Sequence, residues 1–445
     1  MASYEPSEIM TAAALLFTDK ELDKYSESSD TLKQMMVDSI KKVETNVEFG
    51  SISIKNGFMQ YLGYAQRADK DEKELTNLLS DLAGGISAAK GVRSYMKMQQ
   101  SLGNESDVIV YMTGDTWPKD VEDFKVNAYG FKDYNSSDIM VTKDKKVFFG
   151  VSLKKKRKVE ADEPTLINKA FDTLLQGEDF DFLKKELEEG RRNYFTELVI
   201  RIIESGLIDY KDINDTSGKK LKDKKAWNSF KSSPTGKKEL YEAKKRDKKL
   251  FDRAYIDTKG SELISGGYIS GKTTSADSVR YFVNKELSKK DCPLWKYFTV
   301  VINENSELFA DALVNCVLKV KLFDEIDADV LKKKKFHFVL VTGVGSVSTK
   351  GVVNVGKATI LPLKTTLCGL TRIDEKFKNQ QFKVEVDNSK QDEADAAKVF
   401  LTLKRGTTDI LNLQLRYKGS FTAQPQFLGT IAKDFKGLLE DECGF

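Results

Sequence analysis

The chain has 445 residues, 40% of them hydrophobic and 31% charged, with a formal net charge of +4. That length allows two or three domains, and that balance is typical of a globular protein and excludes a largely disordered chain. No apolar run is long enough to span a bilayer, and no basic segment followed by an apolar one marks a secretory signal. We therefore expect a cytoplasmic protein without a membrane partner.

Cysteine and histidine usage narrows the possible chemistry. The four cysteines are widely spaced, which argues against a structural zinc site and suits a reducing compartment. The only histidine, His337, lies in the apolar run 336–341, where we expect a structural role. Ser-His-Asp and Cys-His catalysis and zinc-protease motifs all need a histidine beside their partners, whereas carboxylate–metal chemistry needs none.

Apolar periodicity divides the chain into four regions. We expect an N-terminal helical segment (1–60), a mixed core (61–180), a helical, lysine-rich region (181–295) and a β-rich C-terminal region (296–445). The core is predicted to contain, in chain order, a long helix, a strand, a second strand, a hairpin and a helix that begins after Pro164: 71–98, 106–112, 126–131, 136–156 and 165–175.

The hairpin at residues 136–156 has a register that its apolar residues define. On the first strand Ile139 and Val141 alternate with Asp138, Met140 and Thr142, and on the second Phe149 and Val151 alternate with the mixed set Phe148, Gly150 and Ser152. Side chains on a strand have period two, so these four residues share a buried face only if Ile139 pairs with Val151. The turn at 143–146 separates the strands.

That register gathers reactive groups on the other face. Asp138 then lies opposite Ser152 and diagonal to Lys154. A carboxylate that binds a hard divalent cation, with a lysine one side chain away, is a minimal apparatus for hydrolysing a phosphodiester. The cation polarises the phosphate, and the lysine steadies the water or the developing negative charge.

Asp138 followed by Ser152-Leu153-Lys154 resembles the D…(D/E)xK signature of the PD-(D/E)xK nuclease superfamily. The resemblance implies an α+β (mixed α/β) fold with a restriction-endonuclease-like αβββαβ core, and Mg²⁺ or Mn²⁺ as cofactor. The opening of the long helix is similar to the first helix of archaeal junction resolvases, which implies Glu72 as a second metal ligand beside Asp138 and a member of the catalytic set. Ser152 stands where the family has its second carboxylate.

Basic residues follow the hairpin directly and return further along the chain. Lysine and arginine beside the site favour contacts to a nucleic-acid backbone, DNA or RNA, and we expect that role for Lys155, Lys156, Arg157 and Lys158. A second basic tract, 219–253, carries interleaved aromatic residues, Trp227, Phe230 and Tyr241, which suits either base stacking or a solvated surface. Alternation in the strand 410–417 projects a further set of candidate backbone contacts from one face: Gln414, Arg416 and Lys418.

Residues 266–273, GGYISGKT, match a phosphate-loop pattern, with Gly271, Lys272 and Thr273 at the nucleotide-binding positions. A phosphate-binding loop of this kind follows a buried strand. Only two apolar residues, Leu263 and Ile264, precede this match, which is too short a run for such a strand.

Three functions remain open. The first is a metal-dependent endonuclease that uses Asp138, Ser152, Lys154 and Glu72. The second is a weakly active or inactive nucleic-acid-binding or structural protein on the same scaffold, and the lysine-rich, histidine-poor composition resembles that of bacteriophage proteins. The third is a phosphate-loop ATPase.

Overall fold

A computed structural model describes residues 4–49, 72–102, 108–113, 117–125, 135, 137–156, 165–175, 177–215, 217–246, 279–314, 334–387, 398–417 and 424–444. The helices of this part of the chain are α1 (Pro6–Leu15), α2 (Asp19–Tyr25), α3 (Ser29–Asn46), α4 (Glu72–Met98), α5 (Phe171–Leu174), α6 (Asp181–Glu204), α7 (Lys224–Ser232), α8 (Pro234–Arg246), α9 (Val279–Leu287), α10 (Pro293–Glu304), α11 (Ser306–Leu313), α12 (Leu363–Lys376) and α13 (Lys433–Glu442). The strands are β1 (Val47–Phe49), β2 (Ile109–Met112), β3 (Ile139–Thr142), β4 (Val147–Lys156), β5 (Thr165–Ala170), β6 (Lys335–Val347), β7 (Val353–Val355), β8 (Thr359–Pro362), β9 (Phe382–Val386), β10 (Lys398–Arg405), β11 (Thr408–Arg416) and β12 (Gln426–Ile431).

The fold is α+β, as the sequence predicts, and it divides into two compact units. The first unit comprises Met1–Leu166, Asn315–Lys376 and Lys436–Phe445, and the second comprises Ile167–Val314 and Phe377–Phe435. The chain therefore leaves the first unit after β4 and returns to it before β6. The β-rich C-terminal region is shared between the units, because β6, β7 and β8 join the first sheet and β9 to β12 the second.

The first unit is built on a mixed sheet with the described order β1-β2-β3-β4-β6-β7, and β8 also pairs with β6. The strands β2, β3 and β4 are antiparallel neighbours, and β6 runs parallel to β4. A parallel pair needs a long crossover connection, and here that connection contains the first segment of the second unit, Ile167–Val314. One face of the sheet packs on α1, α3 and α4, and the other packs on the segment that contains Trp117, Val121 and Phe124.

Glycines set how closely α4 approaches its neighbours. A Cβ atom at Gly345 of β6 would lie 2.1 Å from the backbone N of Gly84, and one at Gly85 would lie 3.0 Å from the backbone N of Thr11 on α1. The pair Gly84-Gly85 therefore lets one turn of α4 touch β6 on one side and α1 on the other. Gly343 and Gly345 of β6 have no side chain to hold α4 away, so the backbone of β6 lies directly against Gly84.

Polar contacts then hold the first unit together. The Oγ of Ser87 on α4 accepts a hydrogen bond of 3.0 Å from the N–H of Val344, and buried Arg93 donates to the carbonyl of Leu15 at the end of α1 (3.1 Å). Cys368 of α12 and Cys443, just after α13, form a disulfide, which their spacing in the sequence did not predict.

The second unit contains the sheet β5-β12-β11-β10-β9, in which β9 to β12 are antiparallel neighbours. Its core includes Arg191, which is fully buried and bonds to the Tyr417 hydroxyl (3.1 Å), Glu188 (2.6 Å) and Gln424 (2.6 Å). Buried charge of this kind is stable only when its hydrogen bonds are satisfied.

Two predicted elements are wrong. The helix expected at 165–175 is strand β5 up to Ala170 and helical only at α5, because Ile167 packs against the backbone at Gly429 and the sheet overrides local propensity. The region 296–445, expected to be β-rich, begins with helices α10 and α11, and the buried residues Leu294, Phe298 and Val301 of α10 recur at helical spacing after an N-terminal proline. The strand expected at 126–131 lies outside the described residues.

Among the described helices, none combines the length and the apolar character that a membrane crossing requires.

Candidate active site

The hairpin has the register that its alternation predicts, with Ile139 paired with Val151 and Val141 with Phe149. The backbone around Asp138 is bonded on both sides: its N–H donates to the carbonyl of Val151 (2.9 Å), and its carbonyl accepts from the N–H of Thr113 (3.2 Å). Asp138 is therefore held at the end of β3 by its neighbours in the sheet.

Hydrogen bonds also hold the residues just before Asp138 in place. Asn135 accepts from both the N–H (3.0 Å) and the hydroxyl (2.6 Å) of Ser137, and its own amide donates to the carbonyl of Phe124 (3.1 Å). A Cβ at Gly150 would lie 2.3 Å from the Ser137 Oγ, so only glycine lets the chain pass here.

The carboxylate of Asp138 is oriented through one oxygen. Its Oδ2 accepts a hydrogen bond from the N–H of Leu153 (2.5 Å) and a longer one from the hydroxyl of Ser152 (3.5 Å). No hydrogen bond from a described residue reaches Oδ1. Oδ1 is therefore the oxygen that remains to bind a ligand.

Charged groups from α1 and β4 surround this carboxylate. Lys154 is near enough for its charge to act on both Asp138 and Glu8, and the charge of Glu5 acts on both carboxyls as well. Glu8 lies in the first turn of α1, where its Oε2 accepts from the N–H of Glu5 (3.1 Å). Within the described part of the chain, the Lys154 ammonium forms no hydrogen bond or ion pair. The charges of these two acids and of an unengaged lysine thus act on one another at one end of the sheet.

Burial makes both carboxyls hard to ionise. It is the main cause that raises the pKa of Glu8 to about 7, and the charges of Asp138 and Glu5 raise it further against the opposing effects of the Glu5 N–H and of Lys154. Burial also raises the pKa of Asp138, opposed by Lys154 and by the hydrogen bonds from Leu153 and Ser152. Each carboxyl therefore keeps its proton to a higher pH than a free carboxyl does, and at Glu8 the charge of Asp138 adds to the effect of burial.

A cavity of about 390 Å³ opens beside this cluster, bounded by the start of α1, the middle of α4 and the end of β4. Glu5 and Lys154 belong both to its wall and to the acid cluster, whereas Asp138 and Glu8 are not in its wall. Lys155 and Asp81 also line it and form an ion pair with each other. Lys155, expected to face phosphate, is therefore engaged by a carboxylate.

A divalent cation fits this donor set with two carboxylates. The described residues contain no group of three histidine, cysteine or acidic side chains placed to share an ion. Mg²⁺ commonly binds through one or two carboxylates, with substrate phosphate and water completing its shell. Asp138 and Glu8 are carboxylates of this kind, and the charge of Asp138 acts on Glu8. Glu72 is the first residue of α4, and its side chain lies outside the described atoms.

Sequence reasoning missed Glu8 and Glu5. The pattern Glu5-Pro6-Ser7-Glu8 does indicate the start of a helix, since proline occupies the first turn and Glu8 follows the N-cap residue Glu5 by three positions. Nothing local reveals that this helix start lies beside Asp138, because that proximity depends on the packing of α1 against α4.

The other predicted contact residues are divided between the units. Lys156 is half-buried at the end of β4 in the first unit, and Arg157, Lys158 and Lys418 lie outside the described residues. Gln414 and Arg416 are half-buried on one face of β11 in the second unit, as their alternation predicts.

The aromatic residues of the basic tract are not available for base stacking. Trp227, Phe230 and Tyr241 are buried with 3%, 8% and 1% exposure, so this part of the prediction is wrong. The phosphate-loop match, including Gly271, Lys272 and Thr273, lies outside the described residues. His337 stacks on Phe149, a core residue of the first unit, with ring centroids 5.1 Å apart.

No protein-family model, curated protein or solved structure matches this chain.

Proposed function

We propose that the first unit is a metal-dependent nuclease that hydrolyses phosphodiester bonds of DNA or RNA. The observation that carries the proposal is that hydrogen bonds of the sheet hold Asp138 in place where the charge of Lys154 acts on it and its own charge acts on Glu8. The αβββ order of α4, β2, β3 and β4, followed by the parallel strand β6, supports it.

Each group has a role that its position suggests. Asp138, through Oδ1, and Glu8 would hold Mg²⁺ or Mn²⁺, which supplies positive charge to a bound phosphate oxygen. The N–H of Leu153 keeps the Asp138 carboxylate in one orientation. The ammonium of Lys154, which lines the cavity, is available to orient the attacking water or to neutralise charge that develops on the phosphate.

The experiment is a cleavage assay on single- and double-stranded DNA and RNA with Mn²⁺ and with Mg²⁺. We expect cleavage by the wild type, and at least a hundredfold loss in Asp138→Asn and in Lys154→Ala. Lys143→Ala is the matched control, because Lys143 is exposed in the turn at the opposite end of the same hairpin. Thermal melting of each variant separates loss of chemistry from loss of fold, and cleavage that survives both substitutions would refute the proposal.

A second candidate is a nucleic-acid-binding protein that keeps this scaffold without turnover. Ser152 in place of an acid favours it, as does the lack of a third ligand among the described residues. It predicts salt-sensitive binding that Asp138→Asn does not change, with no cleavage under either metal.

A cytoplasmic location, or a virion if the protein is viral, belongs to the same proposal. The disulfide between Cys368 and Cys443 argues against this location, because glutathione keeps such pairs reduced in the cytoplasm.

A further inference from the structure

The second unit carries a strongly basic segment, residues 219–242. It has eight lysines and three acidic residues, so its excess of positive charge is larger than the net charge of +4 on the whole chain. Some of these lysines lie near carboxylates of the same unit: Lys219 near Asp215, Lys220 near Asp212, Lys231 near Glu204 and Lys237 near Glu197. Within the described part of the chain, no ion pair engages three exposed neighbours, which we call the basic surface: Lys222, Lys224 and Lys225.

Buried residues fix the backbone beneath the basic surface. Leu221 is 6% exposed, and its N–H donates a hydrogen bond to the carbonyl of Ile213 (3.1 Å). Trp227 and Phe230 bury one side of α7. The other side of α7 is exposed and has no carboxylate, because it consists of Lys224, Lys225, Asn228, Ser229 and Ser232. The fold therefore holds in place the backbone that carries the three lysines.

The needs of the fold do not explain these lysines. Lys224 and Lys225 occupy the first turn of α7, where the helix dipole favours acidic residues and disfavours cations. The acid before them, Asp223, caps the helix, and its carboxylate accepts a hydrogen bond from the N–H of Ala226 (2.8 Å). Departures from a local rule that bring no packing gain are expected at functional sites. The clustered charge therefore fits an anionic partner.

The lack of apolar groups on this surface narrows the kind of partner. None of the large apolar side chains that are exposed among the described residues lies in 219–242. Membrane binding uses apolar side chains that enter the lipid, and protein interfaces centre on apolar or aromatic anchors. Trp227, Phe230 and Tyr241 are buried, so these rings cannot stack on an unpaired base. A nucleic-acid duplex needs neither kind of contact, because its phosphates lie outside and place one negative charge on about every 1.7 Å of its axis.

We propose that the basic surface binds the phosphate backbone of double-stranded nucleic acid without reading its sequence. Each bound lysine displaces counterions from the duplex, so the affinity falls steeply as salt increases. The exposed amide of Asn228 and hydroxyl of Ser229 add neutral donors for phosphate oxygens on the same side of α7. This inference concerns the second unit alone and does not depend on the nuclease proposal, since it requires neither a metal nor cleavage.

The test is fluorescence anisotropy of a labelled DNA duplex titrated with the full chain, in EDTA and at several salt concentrations. We expect the double variant Lys224→Gln, Lys225→Gln to bind about tenfold more weakly than the wild type near 0.1 M salt. The slope of log K against log salt concentration should become shallower by roughly 2, because each lost phosphate contact removes about 0.9. The variant should melt no lower than the wild type, because cations in the first turn do not stabilise a helix.

The matched control is the double variant Lys185→Gln, Lys296→Gln. It removes the same charge from exposed positions on α6 and α10 of the same unit, away from 219–242. Its salt slope should stay close to that of the wild type.

Four outcomes would overturn the inference. The first is no binding of the duplex by the wild type at about 100 μM protein, the weak limit of non-specific binding. The second is a salt slope that the variant at α7 leaves unchanged or that the control alters as much. Tighter binding of the single strand than of its duplex would contradict the argument from the buried aromatic rings. Tighter binding of phosphatidylglycerol vesicles than of the duplex would make lipid the partner.

Discussion

The backbone N–H of Leu153 donates a 2.5 Å hydrogen bond to the Oδ2 of Asp138, across the two strands of one hairpin. This bond ties the acid of the candidate site to the strand that carries Lys154. It also uses one carboxylate oxygen and leaves the other for a ligand. The geometry of the site therefore depends on hairpin register as much as on the identity of its residues.

The first prediction places an acid at Ser152, the position where the resembled nuclease signature has a carboxylate. Ser152 is buried opposite Asp138, and its hydroxyl is 3.5 Å from Oδ2. Ser152→Asp should tighten Mn²⁺ binding at least tenfold, because a further carboxylate oxygen joins the donor set. Without metal the same variant should melt at a lower temperature than the wild type, because two carboxylates repel each other there.

Melting curves with and without Mn²⁺ measure both effects. Ser205→Asp, at the end of α6 in the second unit, is the control for adding an acid elsewhere. If Mn²⁺ stabilises the Ser152→Asp variant no more than the wild type, Asp138 is not a metal ligand.

The second prediction concerns Glu8 and pH. The folded-state pKa of about 7 lies above the ordinary value of 4.5. Between those values the native state binds more protons than the unfolded state, so the free energy of unfolding should fall as pH rises through this window. A pKa difference of one between the folded and unfolded states is worth about 1.4 kcal/mol, so this shift from 4.5 to about 7 corresponds to roughly 3 kcal/mol of stability lost by pH 8.

Glu8→Gln removes that titration and keeps an oxygen that can accept from the N–H of Glu5. In the presence of a metal chelator, the variant should match the wild type at pH 4 and exceed its stability at pH 8. Urea unfolding at several pH values measures this difference, with Glu44→Gln, exposed on α3, as control. Equal stabilities at pH 8 would show that Glu8 is not buried among acids.

The third prediction tests the close approach of α4 and β6. Gly345→Ala places a methyl group 2.1 Å from the backbone N of Gly84, so the helix must move away. Overpacking of this kind destabilises by about 1–3 kcal/mol. Gly437 on α13 has no atom within 4 Å of its would-be Cβ, so Gly437→Ala should instead stabilise by up to about 1 kcal/mol. Denaturant unfolding of both variants measures the contrast, and similar effects at the two sites would disprove the packing argument.

The fourth prediction concerns the disulfide between Cys368 and Cys443, which are 75 residues apart in the sequence. Closing a loop of that length restricts the unfolded chain, with a predicted stabilisation of up to about 4 kcal/mol. Under oxidising conditions, Cys443→Ser should unfold at a lower urea concentration than the wild type. Under reducing conditions, the variant and the wild type should have the same urea midpoint. A difference that persists after reduction would assign the effect to packing at Cys443.

The hairpin shows how far sequence alone can reach. Alternation of apolar residues is sufficient to pair Ile139 with Val151, because any other register would bury charge or expose the core. Long amphipathic periodicity likewise predicts α4, whose observed bounds differ from the expected ones by one residue. The failures are segments such as 165–170, where a short apolar run is compatible with two structures and only its neighbours in the sheet decide between them.

The sequence by itself determined the local geometry of this protein, namely the strand register that brings Asp138 and Ser152 face to face. Tertiary structure alone decided which other charges join them, since Glu8 is separated from Asp138 by most of the first unit's sequence and reaches it through α1 packing on α4. It also decided that the second unit is built from two separate segments, one between β4 and β6 and one after α12. The physical reason is that register depends on neighbouring residues, whereas proximity between distant segments depends on packing, which no short pattern encodes.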